Sequence, residues 1–136
     1  MIIPLPIGLW VFSLVSDIIF KAGWGGPIWK DVAFYTMAGG IIGALLAAVP
    51  GLLDLISLEN PQTKKVAIWH MILNLVVVVL YAVNLWVRSR PGVADNTGPD
   101  TGPFILSIIG ILIMCVSGWL GGELVYVRRV GIDPKI

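Results

Sequence analysis

The chain has 136 residues, 57% of them hydrophobic and 12% charged, with a formal net charge of +1 and a mean hydropathy of +0.93. Soluble domains carry about 25% charged residues, so the composition excludes that class, and the near-zero charge without a basic tract excludes nucleic-acid binding. Four apolar runs of roughly 20 residues, the length that crosses a bilayer, predict an all-α integral membrane four-helix bundle. The expected topology is up-down-up-down, a single transmembrane domain over 1–136 with no soluble domain.

The first helix is predicted over 6–20. Pro4 and Pro6 suit a first turn, where a missing N–H costs little. The stretch lacks the basic n-region and the A-x-A site of a signal peptide, so a retained helix is expected. Ser13, Ser16, Asp17 and Phe20 fall on one face. Gly23, Gly25, Gly26 and Pro27 then make a turn, and Trp24 and Trp29 are placed for an interfacial belt.

The second helix is predicted over 32–55. Gly39, Gly43, Ala47 and Gly51 repeat every four residues, with Gly40, Ala44 and Ala48 beside them. Lipid gives no hydrophobic drive for helix pairing, so small residues mark faces where backbones approach closely. Pro50 should kink the last turns, and Asp54 follows one turn later.

Glu59 to Lys65 reads as a polar turn. The third helix follows over 66–87, with His70, Asn74, Tyr81 and Asn84 along one stripe. A polar group without a partner in hydrocarbon costs several kcal/mol, so the stripe should face the bundle interior. Residues 88–103 are rich in Pro, Gly and Asp and form the one long loop. The fourth helix is predicted over 103–126. Gly110, Met114, Gly118 and Gly122 form its row of small residues, with Gly121 adjacent. The rows on helices 2 and 4 are expected to pack on each other or on another subunit. The single cysteine, Cys115, lies in this last run and makes no intrachain disulfide.

Four spans place both termini on one side. That side carries Lys64, Lys65, Arg128, Arg129 and Lys135, and the other carries Lys21, Lys30, Arg88 and Arg90. The positive-inside rule therefore favours cytoplasmic termini.

Ionisable residues within spans are expensive and are functional by default. Asp54, His70 and Glu123 all fall near the terminal side, with Asn74 one turn deeper, while Asp17 lies toward the opposite side. A histidine among carboxylates suits a proton relay or a metal; the plainer alternative is a structural clamp tying helix ends together, with Lys64, Lys65 or Arg128. Glu123 is expected to find a polar partner, His70 first, then Lys64, Lys65, Trp69, a backbone N–H of the turn between helices 2 and 3, or a partner subunit. A second histidine, C-x-x-C and a phosphate loop are all absent, so no catalytic template appears and no metal site is assigned. His70 alone leaves room for one haem, chlorin or quinone.

Ser117 to Tyr126, Ser-Gly-Trp-Leu-Gly-Gly-Glu-Leu-Val-Tyr, followed by Val130-Gly131-Ile132-Asp133, resembles the closing motif of a family of four-helix bacterial membrane proteins, domain of unknown function 2231. Pro6-Ile7-Gly8 with Asp17, Gly43 to Ala47 followed by Gly51 to Asp54, and His70 with Leu73-Asn74-Leu75 extend the resemblance over nearly the whole chain. Members commonly open with a pattern like H-P-x-x-V-H-F-P-I. Here Pro4 stands at the second histidine and the first is missing, so any haem or metal held by those histidines is lost. The resemblance implies a fold and a polar site, in a bacterial inner membrane, without a reaction. The expected function is a non-catalytic accessory or structural subunit, lipid-embedded and packed against other membrane subunits, an electron-transfer complex among the candidates. The alternative is a redox protein binding one haem, quinone or chlorin near His70.

Overall fold

The computed structural model describes residues 4–91 and 101–131. The middle of the long loop, the first three residues and the tail beyond 131 lie outside the described residues. The helices are α1 (Pro4–Lys21), α2 (Ile28–Ser57), α3 (Pro61–Arg88) and α4 (Thr101–Gly122), and α4 runs on into a π-helical turn over Glu123–Val127. All four are long and apolar enough to cross a membrane. Large apolar side chains such as Ile42, Leu53, Leu75 and Leu112 point outward, as a lipid-facing surface requires.

Each helix begins earlier than the composition suggested. Between α1 and α2, Gly23, Gly25 and Gly26 all hold positive φ, at 75°, 90° and 78°. The chain reverses within them and α2 starts at once after Pro27. At Gly25 a side chain would also collide with the Trp29 indole. Of the stretch read as a polar turn, Glu59 to Lys65, only Glu59 and Asn60 lie outside the helix, and Pro61 to Lys65 form the first turn of α3. Asn60 caps it, its Oδ1 accepting from the N–H of Gln62 at 2.9 Å and of Thr63 at 3.2 Å. Pro61 occupies the position where a missing N–H is harmless. α3 also runs one residue further than expected, so Arg88 belongs to the helix rather than to the loop.

The helices form a square in chain order. α1 packs on α2 and α4, α3 packs on α2 and α4, and the pairs α1/α3 and α2/α4 lie on diagonals. The small faces of α2 and α4 therefore do not meet each other. Each receives a ring from a neighbour instead. Trp10 and Tyr81 stack across the centre with centroids 4.4 Å apart and planes 2° from parallel. Gly40 lies against the Trp10 indole, and a Cβ at Gly110 would sit 2.7 Å from Tyr81 Cε2. Met37, Val77 and Met114 complete this central cluster. A second, smaller cluster of Leu58, Ala67 and Leu124 closes the terminal end.

Of the other small residues, Gly43 touches Leu5 and Pro6, and Gly39 lies near Leu9. Ala47 is half-buried. A side chain at Gly51, Gly118 or Gly122 would have nothing within 4 Å of its Cβ among the described residues, so the expected close packing at Gly118 and Gly122 is not made among them. The reason is periodicity. A four-residue repeat drifts around a 3.6-residue helix, and the buried line of α4 is Gly110, Met114, Ser117.

Candidate functional site

The polar residues of the spans gather in two layers, one toward each face of the membrane. The layer on the loop side is built on Asp17 and Arg88. Arg88 Nη1 donates to Asp17 Oδ1 at 2.7 Å and Nη2 to Oδ2 at 2.6 Å, a bidentate pair. The Asp17 side chain is 1% exposed and that of Arg88 11%. Arg88 Nε donates to Asn84 Oδ1 at 2.9 Å. Asn84 Nδ2 donates in turn to the Pro103 carbonyl and to Ser107 Oγ, both at 2.9 Å. Ser13 Oγ ties α1 to α2 by donating to the Ala33 carbonyl at 2.7 Å. A buried charge is tolerable only when paired and hydrogen-bonded, and here every fork of the guanidinium has an acceptor.

The terminal-side layer holds His70. Its Nδ1 lies 2.8 Å from the Ser117 carbonyl oxygen, which can only accept. Nδ1 therefore carries the proton, and Nε2 accepts from Asn74 Nδ2 at 3.0 Å. Ser117 Oγ lies 3.1 Å from the same Nδ1 and 3.4 Å from the His70 carbonyl oxygen, to which it donates. Gly121 makes room for the ring: a Cβ there would stand 2.9 Å from His70 Cε1. An Nδ1–H held by a carbonyl is the arrangement that orients a ligating imidazole. A metal on Nε2 would nevertheless have to displace the Asn74 amide. No group of three or more His, Cys, Asp or Glu stands together among the described residues.

Glu123 does not reach His70. It accepts from Arg128, five residues on, through Nε at 3.0 Å and Nη2 at 2.8 Å. Arg128 Nη1 lies 3.4 Å from Thr63 Oγ1. The expected tie from Glu123 to the start of α3 thus exists, but at one remove. The π-helical turn makes it: its bond from the Arg128 N–H to the Glu123 carbonyl at 3.0 Å brings residues five apart onto one face. Asp54 joins neither layer and is exposed, so the proposed gathering of Asp54, His70 and Glu123 does not form.

Asn74 and Asp54 are exposed, although each continues a line of residues that is buried further along its helix. The inward positions of α3 are Thr63, Ala67, His70, Asn74, Val77, Tyr81 and Asn84, in steps of three and four. Thr63, Ala67, Val77, Tyr81 and Asn84 are buried, His70 is half-buried and Asn74 is exposed. On α2 the buried line Ala33, Met37, Gly40, Gly43 continues to a half-buried Ala47 and to exposed Gly51 and Asp54. Asp17 and Arg88 are 71 residues apart in sequence, as are Trp10 and Tyr81. At that offset Pro4, the first described residue, stands level with Leu75, and Gly43 against Leu5 and Pro6 gives the same level on α2. The apolar crease between Leu75, Val79, Val83 and Leu106 offers almost no polar group and carries no chemistry.

Sequence reasoning singled out Asp17, His70, Asn74 and Glu123 but missed Arg88, Asn84's partner Ser107, Ser117 and Thr63. Arg88 was legible: it stands four residues after Asn84 on the same stripe. Ser107 and Ser117 share the buried line of α4 with Gly110 and Met114.

A family model described as "Predicted membrane protein (DUF2231)" matches residues 1–134. No curated protein and no solved structure matches the chain.

Proposed function

The chain belongs to the DUF2231 family of predicted membrane proteins, and from that membership we propose that it is a non-catalytic helical subunit that docks on a larger membrane assembly. The observation that carries this reading is the outer face of α4. Gly118 and Gly122 stand one turn apart, and a side chain at either would have nothing within 4 Å of its Cβ among the described residues. Trp119 beside them is 78% exposed. Glycines one turn apart on a membrane helix let another backbone come close. The Glu123–Arg128–Thr63 clamp fixes this end of α4, so the face is presented rigidly. The polar layers support a non-catalytic role, because Asp17, Arg88, Glu123 and Arg128 are consumed in bonds within the chain.

Residence in a bacterial inner membrane with cytoplasmic termini belongs to the same proposal. Arg88 and Arg128 are each committed to an intrachain carboxylate. Setting one aside from each side leaves the basic surplus on the terminal side, the orientation that the positive-inside rule assigns to the cytoplasm.

The test is assembly mass in mild detergent. Gly118→Leu with Gly122→Leu should leave helicity and thermal unfolding unchanged while releasing the chain from a larger species to its own mass. Unchanged mass in a folded double variant would remove the docking reading.

A further inference from the structure

We propose that the apolar crease between α3 and α4 holds an acyl chain of an anionic phospholipid from the loop-side leaflet, with the lipid phosphate on Arg90. The site belongs to the outer side of α3 and stands apart from the docking of α4's outer face.

α3 carries a second line of residues, turned away from its buried stripe. The two ends of this line are alike. Lys65 and Trp69 stand one turn apart at the terminal end, and Trp86 and Arg90 at the loop end. Ile72, Val76, Val79 and Val83 run between them in steps of three and four, and every residue of the line is exposed. From Trp69 to Trp86 the helix rises about 26 Å at 1.5 Å per residue, close to a hydrocarbon core about 30 Å thick. Tryptophan settles at the membrane–water boundary, and long cationic side chains reach past it to the headgroups. A line with tryptophan at both boundaries and a cation beyond each is a lipid-facing line, so its occupant is lipid.

The loop half of this line is creased. Leu75, Val76, Val79, Leu80 and Val83 form the crease with Leu106 of α4, and its lining stops at Leu75, short of Trp69 and Lys65. From Trp86 to Leu75 is about 17 Å along the helix, roughly one leaflet of the hydrocarbon core. The crease thus starts under the surface and ends near the midplane, as one acyl chain does. A spanning helix from a partner would need a path through both leaflets.

Arg90 stands where the headgroup of that chain belongs. Its guanidinium carbon lies 3.6 Å from the centroid of the Trp86 ring. The Ser89 N–H donates to the Leu85 carbonyl at 3.0 Å and the Arg90 N–H to the Val87 carbonyl at 3.2 Å, so the turn beyond α3 keeps Arg90 on the same line. A guanidinium stacked on a ring face keeps its N–H donors along its edge, a planar fork that matches two phosphate oxygens. Among the described residues no carboxylate pairs with Arg90, whereas Arg88 is spent on Asp17. A phosphatidylglycerol head brings one net negative charge to this cation. An ethanolamine head brings its own ammonium beside it and complements Arg90 less well.

The test uses the full chain in nanodiscs of equal phosphatidylglycerol and phosphatidylethanolamine, with retained lipid identified by native mass spectrometry. Wild type should retain a single phospholipid, phosphatidylglycerol over phosphatidylethanolamine by about fivefold, the effect of one basic residue beside anionic lipid. Arg90→Gln should abolish the preference with helicity unchanged. Val79→Phe should release both lipids by filling the crease. Lys65→Gln, at the end that the crease does not reach, should change neither. Equal retention of the two lipids by wild type, a preference that survives Arg90→Gln, or one lost to Lys65→Gln would overturn the site and leave an ordinary lipid shell.

Discussion

Replacing Asp17 with leucine would leave the Arg88 guanidinium, 11% exposed, without its two shortest hydrogen bonds, at 2.7 and 2.6 Å. Arginine cannot shed its charge. Removing one partner of a buried pair costs about 3–5 kcal/mol, because the other charge stays desolvated. Arg88→Met should cost a similar amount from the opposite side. The double variant is the decisive one. Replacing a buried pair by apolar residues is often neutral, so only the smaller loss at Asn84 remains. Its Oδ1, which accepts from Arg88 Nε, is left without a donor, at about 1–2 kcal/mol. The double variant should therefore be more stable than either single. Reversible unfolding in mixed detergent–SDS micelles, followed by tryptophan fluorescence, gives the three differences and their coupling. Additive losses, or a cost under about 1 kcal/mol for Asp17→Leu, would show that the pair is no lock and that Arg88 relaxes to the headgroups instead.

Gly40→Ala and Gly110→Ala should each cost about 1–3 kcal/mol, since a methyl would overlap Trp10 or stand 2.7 Å from Tyr81 Cε2 in a packed centre. Near-ultraviolet circular dichroism of the stacked rings should weaken in both, and a native-like signal in either would refute the ring-on-glycine account. Asn60→Ala should lower stability by about 1 kcal/mol through loss of the α3 cap, measured in the same micelles; no loss would mean that α3 starts elsewhere. Glu123→Leu should cost only about 0.5–1 kcal/mol, because its pair with Arg128 is partly solvated, and Glu123→Gln less. A larger loss would mean that Glu123 has a buried partner.

The fold class was legible because membrane helices announce themselves by length and hydropathy. The family motif was legible too, and so was most of the α3 stripe: Tyr81 and Asn84 are buried and His70 half-buried, but Asn74, expected to face the interior, is exposed. Partnership was legible only in part. Arg128 was named for a clamp at the helix ends and does pair with Glu123, but His70 was expected first, and the arginine that Asp17 takes was assigned to the loop. Glu123 was misassigned for a local reason. On a regular α-helix Arg128, five residues on, points away from Glu123, and only the π-helical turn brings them together. Nothing in Glu-Leu-Val-Tyr-Val requires that turn by propensity. The pairing of α2 with α1 rather than with α4 was equally hidden, because rows of small residues say that a backbone comes near without saying whose.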